Sequence, residues 1–309
     1  MAIIRLASPR GFCAGVERAI RTVEDALKEF GAPVYVRHEI VHNAHVVSRL
    51  KAMGAIFVED LDAAPDDRPV IFSAHGAPRS AYIEAAARNL AAIDATCPLV
   101  LKVHNEVRRH VDRGRHVILV GHAGHPEVIG TMGQASPGAV SLVETIEDAR
   151  RFAPPDGPLA YVTQTTLSVD ECAEIVTELT ARFPDIAGPS KADICYATTN
   201  RQEAVKQIAP GADVALIVGS ANSSNSRRLV DAALAAGARK AFLVEDPASF
   251  DMSIVDGAAV IAVTSGASAP EDLVETLLQR IAMRRPVTIE TIDHVRESVS
   301  FKQPALMAG

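Results

Sequence analysis

Four cysteines stand at positions 13, 97, 172 and 195, and the surroundings of three of them match. Cys13 follows the strand-like Ile3-Ile4-Arg5-Leu6-Ala7, Cys97 follows Ala92-Ile93-Asp94-Ala95, and Cys195 follows Ala192-Asp193-Ile194. Each precedes a stretch with helical spacing, which places three thiols at strand-to-helix turns. A thiolate is a soft metal ligand, a nucleophile or, as thiol, a small core residue. No C-x-x-C pair is present, whereas structural zinc sites usually draw ligands in close-spaced pairs. A [4Fe–4S] cluster fits three widely spaced thiolates better, because four irons with three protein ligands leave one iron open as a Lewis acid. Cys172, inside the helix-like Val169 to Glu174, has no such setting and is expected to be core.

The other strand ends lead into loops of small and polar residues. His42, His75 and His125 lie in three of them, and imidazoles are good partners for phosphate oxygens. Ser223, Ser224, Asn225 and Ser268 supply hydroxyl, amide and backbone N–H donors where turns enter helices, which is anion-binding chemistry. These loops hold few Lys or Arg, so the anion should be small and enclosed. Glu127 stands two residues after His125 in Gly121-His122-Ala123-Gly124-His125-Pro126-Glu127. A carboxyl group buried there would favour its neutral form and serve as a proton donor. Thr165, in Gln164-Thr165-Thr166, is placed to fix a substrate hydroxyl or relay a proton. His38, His45 and His122 are expected to be structural or supporting.

Such loops need parallel sheets to position them. Short β-branched runs at 70–72, 117–120, 215–218 and 258–263 alternate with helical spacing over 16–30, 100–112, 170–183 and 225–236. From Cys13 to Cys97 and from Cys97 to Cys195 the separations are 84 and 98 residues, close enough for a threefold internal repeat. The expected domains are 1–97, 98–195 and 196–284, with a tail from 285 to 309. Ligands of open α/β sheets bind at the carboxyl ends of the strands. Three such units facing one another would aim the cysteines and polar loops at a common centre. A chain of 309 residues, 48% hydrophobic and 22% charged, folds without staples. With 4% aromatic residues and no Trp, its core must be aliphatic. The net charge of -7 with no basic run argues against nucleic acid. No apolar run approaches the ~20 residues of a membrane span. The N-terminal residues lack a signal peptide's apolar region, so the reading is cytoplasmic.

Taken together, the strings resemble the 4-hydroxy-3-methylbut-2-enyl diphosphate reductase (IspH/LytB) family. They run in order from Pro9-Arg10-Gly11-Phe12-Cys13-Ala14-Gly15 through Arg37-His38-Glu39-Ile40-Val41-His42-Asn43, Ser73-Ala74-His75-Gly76 and Asp94-Ala95-Thr96-Cys97-Pro98. Gly121 to Val128, Thr163 to Asp170, Asp193 to Gln202, Gly219 to Ser226 and Gly266 to Pro270 continue them. Departures fall in connecting segments and after about Arg285. The resemblance implies three similar α/β domains in pseudo-threefold arrangement around a central [4Fe–4S] cluster held by Cys13, Cys97 and Cys195, with one iron open to the substrate hydroxyl. It implies a diphosphate surrounded by His42, His75, His125, Ser223, Ser224, Asn225 and Ser268, proton delivery by Glu127 and positioning by Thr165. The tail would fold back on the body. The reaction would be reductive dehydroxylation to isopentenyl and dimethylallyl diphosphates. The electron donor would be a ferredoxin or flavodoxin, with NAD(P)H as the remote source. Two alternatives remain: a zinc-dependent hydrolase of a small phosphorylated substrate using the three histidines, and a non-catalytic iron–sulfur sensor.

Overall fold

A computed structural model describes residues 1–306. The chain opens with β1 (Ala2–Ser8) and α1 (Ala14–Phe30), then β2 (Val34–Arg37), α2 (Ala44–Ala52), β3 (Ala55–Val58), β4 (Val70–Phe72), α3 (Arg79–Ala87) and β5 (Ala92–Asp94). It continues through α4 (Pro98–Asp112), β6 (His116–Val120), α5 (Pro126–Met132), β7 (Val140–Val143), α6 (Ile146–Arg151), β8 (Leu159–Thr163) and α7 (Val169–Arg182). The last third comprises α8 (Tyr196–Ile208), β9 (Val214–Val218), α9 (Ser224–Ala235), β10 (Ala241–Val244), β11 (Val260–Ser265), α10 (Glu271–Arg284) and β12 (Val287–Asp293).

The strands form three parallel sheets, in the orders β10-β9-β11-β1-β12, β3-β2-β4-β5 and β7-β6-β8. By internal contacts the chain divides into two compact units. The first, Met1–Ala14, His42–Val46 and Tyr196–Ser300, contains the five-stranded sheet. Its central strands β9 and β11 are buried on both faces, as parallel strands between helix layers must be, whereas the edge strand β12 is largely exposed. Val214, Leu216 and Val218 of β9 enter one core with Ile4 and Leu6, while Ala215 and Ile217 enter another with Ala7 and Leu229. The second unit, Gly15–Val41, Val47–Cys195 and Phe301 onward, contains the other two sheets. There β6 alternates likewise, with Ile118 and Val120 packing on α7 residues and Val117 and Leu119 on Val103 and Val107 of α4.

Three features depart from the sequence-based reading. β1 pairs with β11 and β12, with Ile4 opposite both Ile261 and Ile289, so the first strand joins the sheet of the last third. Its alternate residues Ala2, Ile4 and Leu6 enter the core shared with β9 and β11. The tail is also partly strand: β12 closes the edge of that sheet beside β1. Finally, no strand forms at 192–194. Pro189 has no N–H to give a ladder, and the segment is pinned to β8 piecemeal. Ala187 exchanges backbone bonds with Leu159 and Tyr161, and a side chain, Asp193 Oδ2, accepts the Thr163 N–H at 2.9 Å. No helix among the described residues is long and apolar enough to cross a membrane.

Candidate functional site

Each of the three spaced cysteines stands directly before a helix. Cys13 precedes α1, Cys97 is the N-cap of α4 with Pro98 in its first turn, and Cys195 precedes α8. Helix N-termini favour negative charge, as a thiolate requires. Each cysteine amide also donates to a carbonyl of a polar loop. Cys13 N–H reaches Ala267 O at 3.2 Å, Cys97 N–H reaches Ala74 O at 3.0 Å and Cys195 N–H reaches Thr165 O at 3.0 Å. All three are half-buried. Cys172 is instead sealed among Ile175, Leu179 and Ile118, where burial pushes its thiol up to about 11.

Within the second unit a continuous run of contacts joins Cys97 to Cys195. Ala74, which anchors Cys97, precedes His75, whose ring lies edge-on to His125 with centroids 5.9 Å apart. His125 caps α5, and its Nδ1 accepts the Glu127 N–H at 3.1 Å. A neutral His125 ring therefore carries its proton on Nε2. Glu127 is 2% exposed, and its carboxylate takes both donors of one residue. Thr165 N–H donates to Oε1 at 2.6 Å and Thr165 Oγ1 donates to Oε2 at 2.9 Å. Burial pushes the Glu127 carboxyl up to about 7; the two Thr165 bonds oppose that rise and the Asp193 charge adds to it. Burial wins, because two neutral donors replace only part of a carboxylate's hydration. Thr165 then hands the chain to Cys195 through its carbonyl.

The first unit holds Cys13 with the remaining donors. Ala267, which anchors Cys13, is followed by Ser268, whose Oγ donates to His42 O at 2.9 Å. Ser223 caps α9 through Ser226 N–H, and such a cap contributes about 1 kcal/mol. Ser226 in turn donates its hydroxyl to Ser223 at 3.1 Å. That packing dictates two glycines: a Cβ on Gly219 or Gly266 would meet Ser226 Oγ at 2.3 or 2.2 Å. Asn225, 4% exposed, lies against Gly266, and among the described residues neither its amide oxygen nor its amide nitrogen has a hydrogen-bond partner. An orphaned buried amide costs about 1–3 kcal/mol. Such an amide is free to accept from and donate to a bound ligand.

The two units thus divide the anticipated residues. Cys97, Cys195, His75, His125, Glu127 and Thr165 belong to one, and Cys13, His42, Ser223, Ser224, Asn225 and Ser268 to the other. Sequence reasoning missed Asp193 and Ser226, both carried by strings that it did quote; a carboxylate two residues before a cysteine was the available signal. The donor set fits an iron–sulfur cluster, with three half-buried thiols at helix N-termini while the fourth is sealed away. Among the described residues no three His, Cys, Asp or Glu side chains gather at single-ion spacing; a cubane holds its ligands farther apart.

Comparison with known proteins adds an independent line. Residues 4–282 match the family described as LytB protein. The chain is 60% identical over 307 residues to the 4-hydroxy-3-methylbut-2-enyl diphosphate reductase of Hyphomonas neptunium, covering 99% of this chain and 98% of that one. It is 61% identical to the enzyme of the same name from Phenylobacterium zucineum, with the same coverage. Its fold matches the solved E-1-hydroxy-2-methyl-but-2-enyl-4-diphosphate reductase of Plasmodium falciparum with a TM-score of 0.94 at 42% identity, covering 98% of this chain and 96% of that one.

Proposed function

The chain belongs to the LytB protein family, and we infer that it is the oxidoreductase that converts 4-hydroxy-3-methylbut-2-enyl diphosphate to isopentenyl and dimethylallyl diphosphates. This is the last step of the methylerythritol phosphate route to isoprenoids, a two-electron, two-proton removal of an allylic hydroxyl. Cys13, Cys97 and Cys195 would hold the family's [4Fe–4S] cluster, leaving one iron without a protein ligand. When bound, that cluster supplies the electrons and a Lewis-acidic iron.

The chain's own part is to bind, orient and protonate. Hydroxide is a poor leaving group, and a proton delivered to it makes the departing species water. Glu127 is built to carry that proton. Its Oε1 is committed to the fixed Thr165 N–H at 2.6 Å, so the acid proton resides on Oε2. From Oε2 it points at Thr165 Oγ1, 2.9 Å away, which then accepts instead of donating and turns its own hydrogen outward. Thr165 thereby becomes a one-step relay to the substrate hydroxyl. His125, with its Nε2–H, would hold the diphosphate together with His42, His75, Ser223, Ser224, Asn225 and Ser268. Anchoring that end orients the hydroxyl, an entropic contribution on the order of several kcal/mol.

The observation that carries this reading is the buried Glu127 carboxyl poised near neutrality with Thr165 on both its oxygens. The hydrolase and sensor alternatives lose their ground, since the matched relatives are reductases. A ferredoxin or flavodoxin reduced by NAD(P)H is the electron donor we assign. The cytoplasm, where thiols stay reduced, is the compartment we assign. The test is anaerobic turnover of the hydroxylated allylic diphosphate with a chemical reductant. Both isoprenoid diphosphates should form. Release of inorganic phosphate without them would return the hydrolase.

A further inference from the structure

Every cysteine turn is followed by a helix that carries one cation a turn and a half further on: Arg18 after Cys13, Lys102 after Cys97 and Arg201 after Cys195. Arg201 donates Nη1 to Ala197 O at 3.0 Å in its own helix, but the remaining backbone bonds of the three cations within the body go to another cysteine's turn. Arg18, 8% exposed, donates Nη1 to Thr96 O at 3.0 Å and Nη2 to Asp94 O at 3.4 Å, the carbonyls just before Cys97. Lys102 Nζ donates to Lys191 O at 2.6 Å, to Ala192 O at 3.3 Å and to Asp193 Oδ1 at 2.8 Å, the turn just before Cys195. Arg201, fully buried, donates to Gly11 O at 2.7 and 3.1 Å and to Phe12 O at 3.4 Å, just before Cys13. The helix after each cysteine therefore secures a different cysteine's turn, and the three pairings close a cycle in the order 13, 97, 195. Each pairing lies within one compact unit.

We propose that Arg18, Lys102 and Arg201 are positioning residues for the cluster, each fixing the backbone turn that presents the next cysteine in that cycle. Side chains on a helix lean toward its N-terminus, so a cation five or six residues in, about 8 Å along the axis, reaches back to the neighbouring turn. Charge-assisted bonds to carbonyls hold a turn more firmly than neutral ones and set positive charge beside thiolates. A buried guanidinium is costly unless fully partnered. Arg201 meets that demand with Glu297 Oε1 at 3.0 Å, and Arg18 with Lys302 O at 2.8 Å, both in the tail. The tail beyond β12 thus completes two of the three clamps.

This inference rests on the assignment of Cys13, Cys97 and Cys195 as cluster ligands, and the test separates the two. In apoprotein, the alkylation rate of each cysteine is mapped for wild type, Arg18→Gln, Lys102→Met and Arg201→Gln. The expected pattern is crossed. Arg18→Gln changes Cys97 several-fold and not Cys13, Lys102→Met changes Cys195 and not Cys97, and Arg201→Gln changes Cys13 and not Cys195. Arg18→Lys, Lys102→Arg and Arg201→Lys should restore most of the wild-type rate. Uniform changes at all three cysteines, or changes at the cysteine heading the mutated helix, overturn the proposal. Sealed Cys172 reports unfolding. If Arg201→Gln unfolds, Lys102→Met decides alone, because the Lys102 side chain is 27% exposed whereas Arg201 is fully buried. In reconstituted protein the same three variants should lose iron to a chelator at least about tenfold faster, the usual effect of supporting residues at metal sites. Unchanged loss rates also overturn the clamps. Wild-type protein that takes up no iron and sulfide would instead overturn the ligand assignment, whatever the alkylation pattern.

Discussion

Replacing Glu127 by Gln should stabilise the apoprotein at alkaline pH while crippling the enzyme. The Glu127 carboxyl rises from its ordinary 4.5 to about 7 because burial disfavours its charge. At about 1.4 kcal/mol per factor of ten in acidity, the rise corresponds to about 3 kcal/mol. The sign follows from proton counts. Below pH 4.5 the carboxyl is protonated in both folded and unfolded chains, and the rise has no effect. Between 4.5 and 7 the unfolded chain releases the proton that the folded chain keeps, so stability falls as pH rises. Above 7 the whole penalty is present. The amide introduced by Glu127→Gln cannot ionise, and it keeps both Thr165 bonds, its oxygen accepting the backbone N–H and its nitrogen donating to the hydroxyl. Denaturant unfolding of wild-type and Glu127→Gln apoprotein at pH 4.5, 6, 7 and 8.5 measures the difference directly. We expect the variant's advantage to grow by about 3 kcal/mol across that range. Turnover should drop on the order of 10²–10⁴-fold with normal iron content. A stability difference independent of pH would refute the reasoning.

Other consequences follow from the same geometry. Turnover of wild type should fall about tenfold per pH unit above about 7, as Glu127 loses the proton it donates; a flat profile from pH 6 to 8.5 contradicts this. Asn225→Leu removes two orphaned buried polar atoms, so the apoprotein should gain about 1 kcal/mol or more while KM rises about 10–100-fold; lost stability with unchanged KM would remove Asn225 from substrate binding. Gly266→Ala should destabilise by about 1–3 kcal/mol because its methyl meets Ser226 Oγ, and Ser226→Ala in the same chain should recover most of it, as thermal unfolding would show.

Much of this was written in local pattern. Helical spacing over 16–30, 100–112, 170–183 and 225–236 corresponds to α1, α4, α7 and α9 within two residues at either end. The β-branched runs locate β4, β6, β9 and β11. Their periodicity is strong because each element buries a continuous face. The departures come from long-range choices. Nothing in Ala2–Ser8 says that β1 joins β11 and β12 at the far end of the chain, because a short apolar parallel strand reads alike in any sheet. The Ala192-Asp193-Ile194 run has strand-like composition, yet the Asp193 side chain, not a backbone ladder, ties it to β8. Residue types and turn positions marked the cysteines, histidines and Glu127. The cations at 18, 102 and 201 were hidden, since an arginine buried in a protein has the same sequence signal as one in water. Only the repeated interval after each cysteine distinguishes them.

The most direct test of the central claim is metal content across the four cysteines. Iron, acid-labile sulfide and zinc are measured per chain on anaerobically prepared wild type and on Cys13→Ala, Cys97→Ala, Cys195→Ala and Cys172→Ala. Wild type and Cys172→Ala should hold about four iron and four sulfide each, and the other three variants should lose them. Zinc without sulfide, or a full cluster in any of those three, would contradict a three-cysteine iron–sulfur reductase.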